Sequence, residues 1–390
     1  MAEEMRIGLA LSGGGARAIA FHLGCMRALH DQNLLDRISV VSAVSGGSVI
    51  AAMWAYQDTT FPEFEQRVLR LLRGGLVWGI ARQTFASPET PRIALAVLTA
   101  GGAAAAGGLV RLAVRILGLV RLRTPRLTAL SDASSAPVRR FASRTTAFQR
   151  MLASKLFADR TLDHVAREGL KVVINATELR TGTAFRFGSE ASGTWRLGVL
   201  REPATVARAV AASAAFPALL PALDLQLDFE LRGQAASHRV ILTDGGVYDN
   251  LGISCMLPNK SGQFSTNAHP VEFIIACDAG PGMPAGAARP FGWATRMLSS
   301  VETMHRRLQT QMYDLLHRMV ANGEIEGFLL PYLGQIDGRL PLRPPDLVPR
   351  DAVVDYPTDF NPMSAANIEL LAGRGEQLTR LLIEQHAPHL

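Results

Sequence analysis

In ISVVSAVSGGSVI, residues 38 to 50, a serine stands between an apolar run and two glycines. A nucleophile elbow holds serine at a strand-to-helix turn so sharp that the residues two before and two after must be small, the pattern G-x-S-x-G. Here the five residues are Ala43, Val44, Ser45, Gly46 and Gly47, with alanine in place of the first glycine. Acyl transfer from such a serine also needs N–H donors aimed at the oxyanion that develops on the attacked carbonyl. Gly13, Gly14 and Gly15 end one apolar run and open a helical stretch, so they offer backbone N–H groups at a helix start with no side chain in the way. A base is required as well. None of the nine histidines sits in an elbow or loop signature, and His22 and His30, on the first helical stretch, read as structural. Asp244 is the most unusual carboxylate, ending an apolar run in ILTDGGVYDNLG. Burial can raise a carboxyl pKa enough for general-base work, and Gly245 and Gly246 let the backbone pass close to another element. The same Asp-Gly-Gly also fits a plain hairpin turn, and the residues alone leave both readings open.

These groups need alternating strands and helices to position them. RIGLAL, from Arg6, reads as a buried strand ended by Ser12 and the three glycines; Ile19, Leu23, Met26 and Leu29 then recur at helical spacing. ISVVSAV is β-branched and strand-like, and VIAAMWAY resumes as a helix. Strand, glycine turn and helix, twice over, is the pattern of a parallel sheet with crossover helices. Further strands are expected at 171–177, 184–187, 239–243 and 271–277, and helices at 204–212, 291–320 and 364–386. The loop Gly13-x-Gly15-x-x-Ala18 also fits a loose dinucleotide fingerprint. That reading needs an acid at the end of the next strand to hold a ribose, and this strand ends in Ala43-Val44-Ser45.

Three motifs, in order, carry a resemblance: Leu11-Ser-Gly-Gly-Gly-Ala-Arg17, Ala43-Val-Ser-Gly-Gly47 and Asp244-Gly-Gly246. Together with the stretches 175–182 (NATELRTG), 212–217 (ASAAFP) and 356–360 (YPTDF), they resemble the patatin-like phospholipase family over residues 6 to about 60 and 155 to 365. The resemblance implies a three-layer α/β/α sandwich with a mainly parallel central sheet and a lipid acyl hydrolase working through a Ser/Asp dyad, with no cofactor or metal. On that carry-over Ser45 attacks the ester carbonyl, Asp244 accepts its proton, Gly13, Gly14 and Gly15 form the oxyanion hole, and Arg17 steadies that loop. Ala43 departs from the family's usual glycine, and its methyl group sets the possibility of a strained, catalytically weak turn against full activity. A membrane-binding or regulatory protein without turnover, and an acyltransferase, are the alternative readings.

The chain is expected to be one catalytic domain over residues 1–390, interrupted by a helical insertion at 61–154 that the resemblance does not cover. From Arg67 to Arg150 fourteen arginines face only Glu89 and Asp132, a net +12 within a chain whose total is +6. Such a block suits an anionic partner or a solvated face, and a membrane surface fits better than nucleic acid, for which no zinc-finger or RNP-type motif is present. Residues 93–110 are uncharged and of transmembrane length, but Gly101, Gly102, Gly107 and Gly108 flank four alanines, and glycine weakens a helix. LVRLAVRILGLVRLR follows, with Arg111, Arg115 and Gly118 in one helical stripe opposite a wide apolar face, which suits a lid or an interfacial helix. Cys25, Cys255 and Cys277 are odd in number and far apart, so a reduced compartment and no structural zinc are expected. MAEEMR carries two acids where a secretory leader has basic residues, so the expected location is the cytoplasm, at the membrane periphery, without a cleaved leader. Acyl chain, headgroup and oligomeric state leave no mark in the sequence.

Overall fold

The computed structural model describes residues 5–119, 125–126, 129, 138, 140–217, 219–258, 260, 265–282, 289–340 and 342–390. Met1 to Glu4, Arg121, Arg123, Asp132 and Arg139, used above for the leader and the charge block, lie outside the described residues. Among the described residues ten strands form one sheet. In chain order they are β1 (Ile7–Leu11), β2 (Ile38–Val44), β3 (Lys171–Glu178), β4 (Thr183–Gly188), β5 (Ser192–Thr194), β6 (Gly198–Leu200), β7 (Leu223–Leu231), β8 (Gln234–Asp244), β9 (Phe273–Cys277) and β10 (Gly327–Leu329).

Half of this sheet follows the expected pattern. β10, β9, β1, β2 and β3 lie side by side, all parallel. Their apolar residues alternate between two cores. Leu9, Leu11, Val41, Ala43 and Ile275 face α1 (Gly15–Asp31), α2 (Gly46–Ala55) and the helix at Ala365–His386. Ala10, Val40, Val173, Ile274 and Ala276 pack on the segment 251–257 and on Leu316 and Met319 of the helix at Trp293–Ala321. Buried on both faces, these strands read as near-continuous apolar runs.

The other half corrects the expectation of a mainly parallel sheet. β3 to β8 pair antiparallel in succession, and β8 turns back onto β3 through Ala176↔Asp244, Thr177↔Thr243 and Glu178↔Leu242, closing a ring. The cause is connection length. A parallel neighbour needs a crossover of about a dozen residues or more, whereas β7 and β8 are joined by Arg232 and Gly233 alone, both at positive φ (53° and 78°), the hairpin turn that suits strand twist. β5, β6, β7 and β10 were not among the expected strands, although β7, LDLQLDFEL, alternates apolar and polar residues along its whole length.

Between β2 and β3 run α3 (Phe61–Gly74), α4 (Val77–Phe85), α5 (Glu89–Leu119) and α6 (Arg144–Leu152). The two segments read separately in the sequence, 93–110 and the arginine-striped helix after it, join in a single 31-residue helix. The base of α5 is pinned: Glu89, 2% exposed, accepts from Arg92 (3.0 Å) and Arg150 (2.6 Å). Beyond that base Leu98, Leu109, Leu112, Ile116 and Leu119 are exposed, and only 11% of the most apolar window of α5 is buried. By length and composition alone, α5 is long and apolar enough to cross a membrane. Among the described residues the remaining α-helices are α7 (Val206–Ser213), the short α8 (Gly246–Asp249), α9 (Trp293–Ala321) and α10 (Ala365–His386).

Candidate active site

Ser45 is the single residue between β2 and α2, at φ 51° and ψ −120°. A serine with positive φ is a strained conformation that the surroundings have to impose. They do so from both sides: the Ser45 N–H donates to Ser213 Oγ (2.9 Å), and Ser48 Oγ donates to the Ser45 carbonyl (2.6 Å). The two glycines that follow touch the neighbouring loop. A Cβ on Gly46 would lie 2.2 Å from the Gly15 carbonyl oxygen, and one on Gly47 2.3 Å from that of Leu11. These contacts are with backbone, which cannot swing aside. Gly47→Ala is therefore expected to cost about 2–3 kcal/mol, read as a fall in the urea midpoint at unchanged slope. Ala43 itself is a fully buried β2 residue paired with Leu11 and Ile174, outside the positive-φ positions, and its carbonyl accepts from Asn175 Nδ2 (3.1 Å).

The glycine loop lies alongside. A Cβ on Gly13 would sit 2.5 Å from Asn250 Oδ1 and 3.3 Å from Ser45 Cβ, so the loop passes close beside the serine. The Gly13 N–H donates to the Asn250 carbonyl (3.2 Å), whereas the N–H groups of Gly14 and Gly15, at the first turn of α1, have no acceptor among the described residues. The free donors are therefore those of Gly14 and Gly15. Arg17, buried one turn on, donates to the carbonyls of Ala279 (3.0 Å) and Tyr356 (2.9 Å), and the Ala16 N–H donates to the Asp359 carbonyl (2.7 Å). These bonds tie the loop to the stretch 356–360.

Asp244 reaches the same place from the antiparallel half. It ends β8 beside Ala176 of β3, while Ser45 follows a β2 strand that pairs with the same β3 as far as Asn175. A short helix rather than a hairpin follows it, and the Gly246 N–H donates to Asp244 Oδ1 (2.7 Å). Burial drives the Asp244 pKa up from 3.8 to about 6, against the pull of the Gly246 N–H and a hydrogen bond from the Ser45 side chain. The Ser45 side chain and the Asp244 carboxyl are thus close enough for one to influence the other's charge. Gly245 lies against Asn175, whose carbonyl oxygen would be 2.3 Å from an added Cβ.

Sequence reasoning missed the residues that lock this arrangement. Ser213 takes the Ser45 N–H on its hydroxyl and the Gly245 N–H (3.2 Å) on its carbonyl, joining the turns that carry the two groups. Its stretch 212–217 was legible as a match, but a polar side chain bonded to backbone leaves no pattern of its own. α9 packs against α8, and His305 lies near enough to Gly246 for that backbone to raise its pKa against the larger lowering by burial, which brings the helix to the edge of the site.

The family profile described as patatin-like phospholipase matches residues 9–256, the span that holds Ser45, the glycine loop and Asp244. The chain belongs to the patatin-like phospholipase family. No curated protein matches it. Among solved structures, this patatin-like chain is similar to human GIVD cytosolic phospholipase A2, at a TM-score of 0.51 and 14% identity, over 97% of this chain and 61% of that one. VipD from Legionella pneumophila matches at a TM-score of 0.40 and 14% identity, over 99% of this chain and 68% of VipD. At 14% identity the likeness to the human enzyme shows a shared fold alone, and this chain spans about three fifths of that enzyme's length.

Proposed function

We propose that this patatin-like chain is a lipid acyl hydrolase that cleaves carboxylic esters of membrane lipids through Ser45 and Asp244. The reading is supported by Ser45, held at positive φ on a strained turn, beside the buried carboxyl of Asp244, whose pKa its side chain lowers. Asp244 removes the hydroxyl proton as Ser45 Oγ bonds to the ester carbonyl carbon. The oxygen that gains the electron pair meets the N–H groups of Gly14 and Gly15, with the α1 dipole behind them. Collapse breaks the bond to the alkoxide, which takes the proton from Asp244 and departs. Water, deprotonated by Asp244, then attacks the acyl-serine, and collapse breaks the bond to Ser45 Oγ, which takes the proton back from Asp244 as the fatty acid is released. Ala43 is accommodated within β2, so the elbow offers no structural ground for a protein without turnover. Release of fatty acid from phospholipid and from a short soluble ester tests the reading, and a folded chain that releases none from either, with or without membranes, sinks it.

Membrane docking is part of the same proposal. Arg111 and Arg115 are exposed on α5 beside its exposed leucines, the arrangement that lies among headgroups and acyl chains. α9 adds a second apolar face, with Phe291 just before it and Trp293 (81% exposed), Leu298, Val301 and Met304 on it, next to His305. The chain is expected to sediment with anionic vesicles, less with neutral ones, and less in high salt. Deleting residues 93–123 is expected to weaken sedimentation at least several-fold, and undiminished binding removes α5 from the account.

A further inference from the structure

Three buried side chains that the acyl-transfer chemistry does not use meet beneath the glycine loop. His22 and Cys25 lie one turn apart on α1, and Cys277 ends β9, where it pairs with Leu11 of β1. All three residues are fully buried, and one ligand atom from each lies within 4.8 Å of the others. A cation with bonds of about 2.3 Å to sulfur and about 2.0 Å to nitrogen holds such donors roughly 3.5 to 4 Å apart, so only a small side-chain adjustment separates the two arrangements.

The histidine is oriented as a ligand. Its Nε2 lies 3.0 Å from the Ser12 carbonyl, which can only accept, so Nε2 carries the proton and Nδ1 a lone pair. Nδ1 is buried with no hydrogen-bond partner. Metal-bound histidines commonly donate their other ring N–H to a carbonyl in this way, which fixes the tautomer and the ring orientation.

We propose that His22 Nδ1, Cys25 Sγ and Cys277 Sγ bind one thiophilic d10 cation, Zn2+ or Cu+. Zn2+ displaces both thiol protons to solvent and Cu+ displaces one, and in either case the buried site ends without net charge, the condition under which ions are tolerated in a core. The bound cation fastens α1 to β9 on either side of Ser12, whose N–H donates to the Cys277 carbonyl (3.1 Å) and whose carbonyl accepts from His22. It braces the residue that leads into Gly13 and takes no part in the reaction at Ser45.

The test uses the full chain, purified under reducing conditions and dialysed against Zn2+, or against Cu+ without oxygen, with bound metal counted per chain after gel filtration. One equivalent of at least one cation is expected, lost in Cys25→Ala and in Cys277→Ala. Cys255→Ala is expected to keep it, because that thiol lies in the core on the opposite sheet face. Loading is also expected to raise Tm in the unaltered chain and not in folded Cys25→Ala. Where the single variants fail to fold, X-ray absorption of the loaded unaltered chain decides, with sulfur and imidazole nitrogen expected around the metal. Absence of a stoichiometric cation in both arms, full binding by folded Cys25→Ala, or a shell of oxygen and nitrogen alone overturns the proposal.

Discussion

Ser45→Ala is expected to abolish ester hydrolysis while leaving the fold intact. Removing a serine nucleophile that acts as a unit with its base lowers kcat on the order of 10⁴-fold or more. Fatty-acid release from a short soluble ester, which needs no membrane, is the appropriate measurement. The alanine keeps the N–H that donates to Ser213 and the carbonyl that accepts from Ser48, so circular dichroism and Tm should stay near those of the unaltered chain. Ser45→Gly sharpens the experiment. Glycine adopts φ 51° without a Cβ penalty of about 1 kcal/mol, so this variant should be equally inactive yet more stable. Residual activity in folded Ser45→Ala comparable to that of the unaltered chain would place the nucleophile elsewhere.

Asp244→Asn is expected to lose activity and gain stability together. Asparagine cannot accept the Ser45 proton, but its carbonyl oxygen can still accept from the Gly246 N–H. The sign of the stability change follows from the raised pKa. Folding lifts Asp244 from 3.8 to about 6, so the folded chain holds this proton more tightly than the unfolded chain does. Its favourable, protonated state is fully present below about pH 4 and is lost as pH rises through about 6. Above that, the buried carboxylate is a standing cost of up to about 3 kcal/mol, which the neutral amide removes. Chemical denaturation at pH 8 should therefore show Asp244→Asn more stable than the unaltered chain, with the difference closing toward pH 4. In the unaltered chain kcat/KM should fall about tenfold per unit below pH 6, as the base protonates. A profile flat down to pH 4.5 would mean that Asp244 is not the group that takes the proton.

The sharp features of the site were legible because they are local. A β-branched run stopped by Ser45 and two glycines specifies strand, turn and helix within a few residues, and Gly13 to Gly15 do the same ahead of α1. Family membership followed from such short stretches. The closed ring was hidden, because β8 finds its partner in β3, far away in the chain, and β5 and β6 have three residues each, too few for an alternation to register. His22, Cys25 and Cys277 were hidden for a related reason: two ligands share a helical turn, but the third arrives only through the pairing of β1 with β9. The braces at Ser213 and Asn250 bond to backbone, a relation that residue identity does not encode.

β3 serves both halves of the sheet, and this sets an order in time. Ser45 and the glycine loop leave the ribosome early, and every residue of the parallel β2–β3 pairing has been made once Asn175 has followed. On the proposed mechanism that nascent chain is harmless, because it holds a nucleophile and oxyanion donors but no base. Asp244 is made later and reaches Ser45 only once β8 closes on β3, a long-range contact of the kind that forms late. On the proposed mechanism the chain therefore gains its base, and with it any activity, only once the ring is shut.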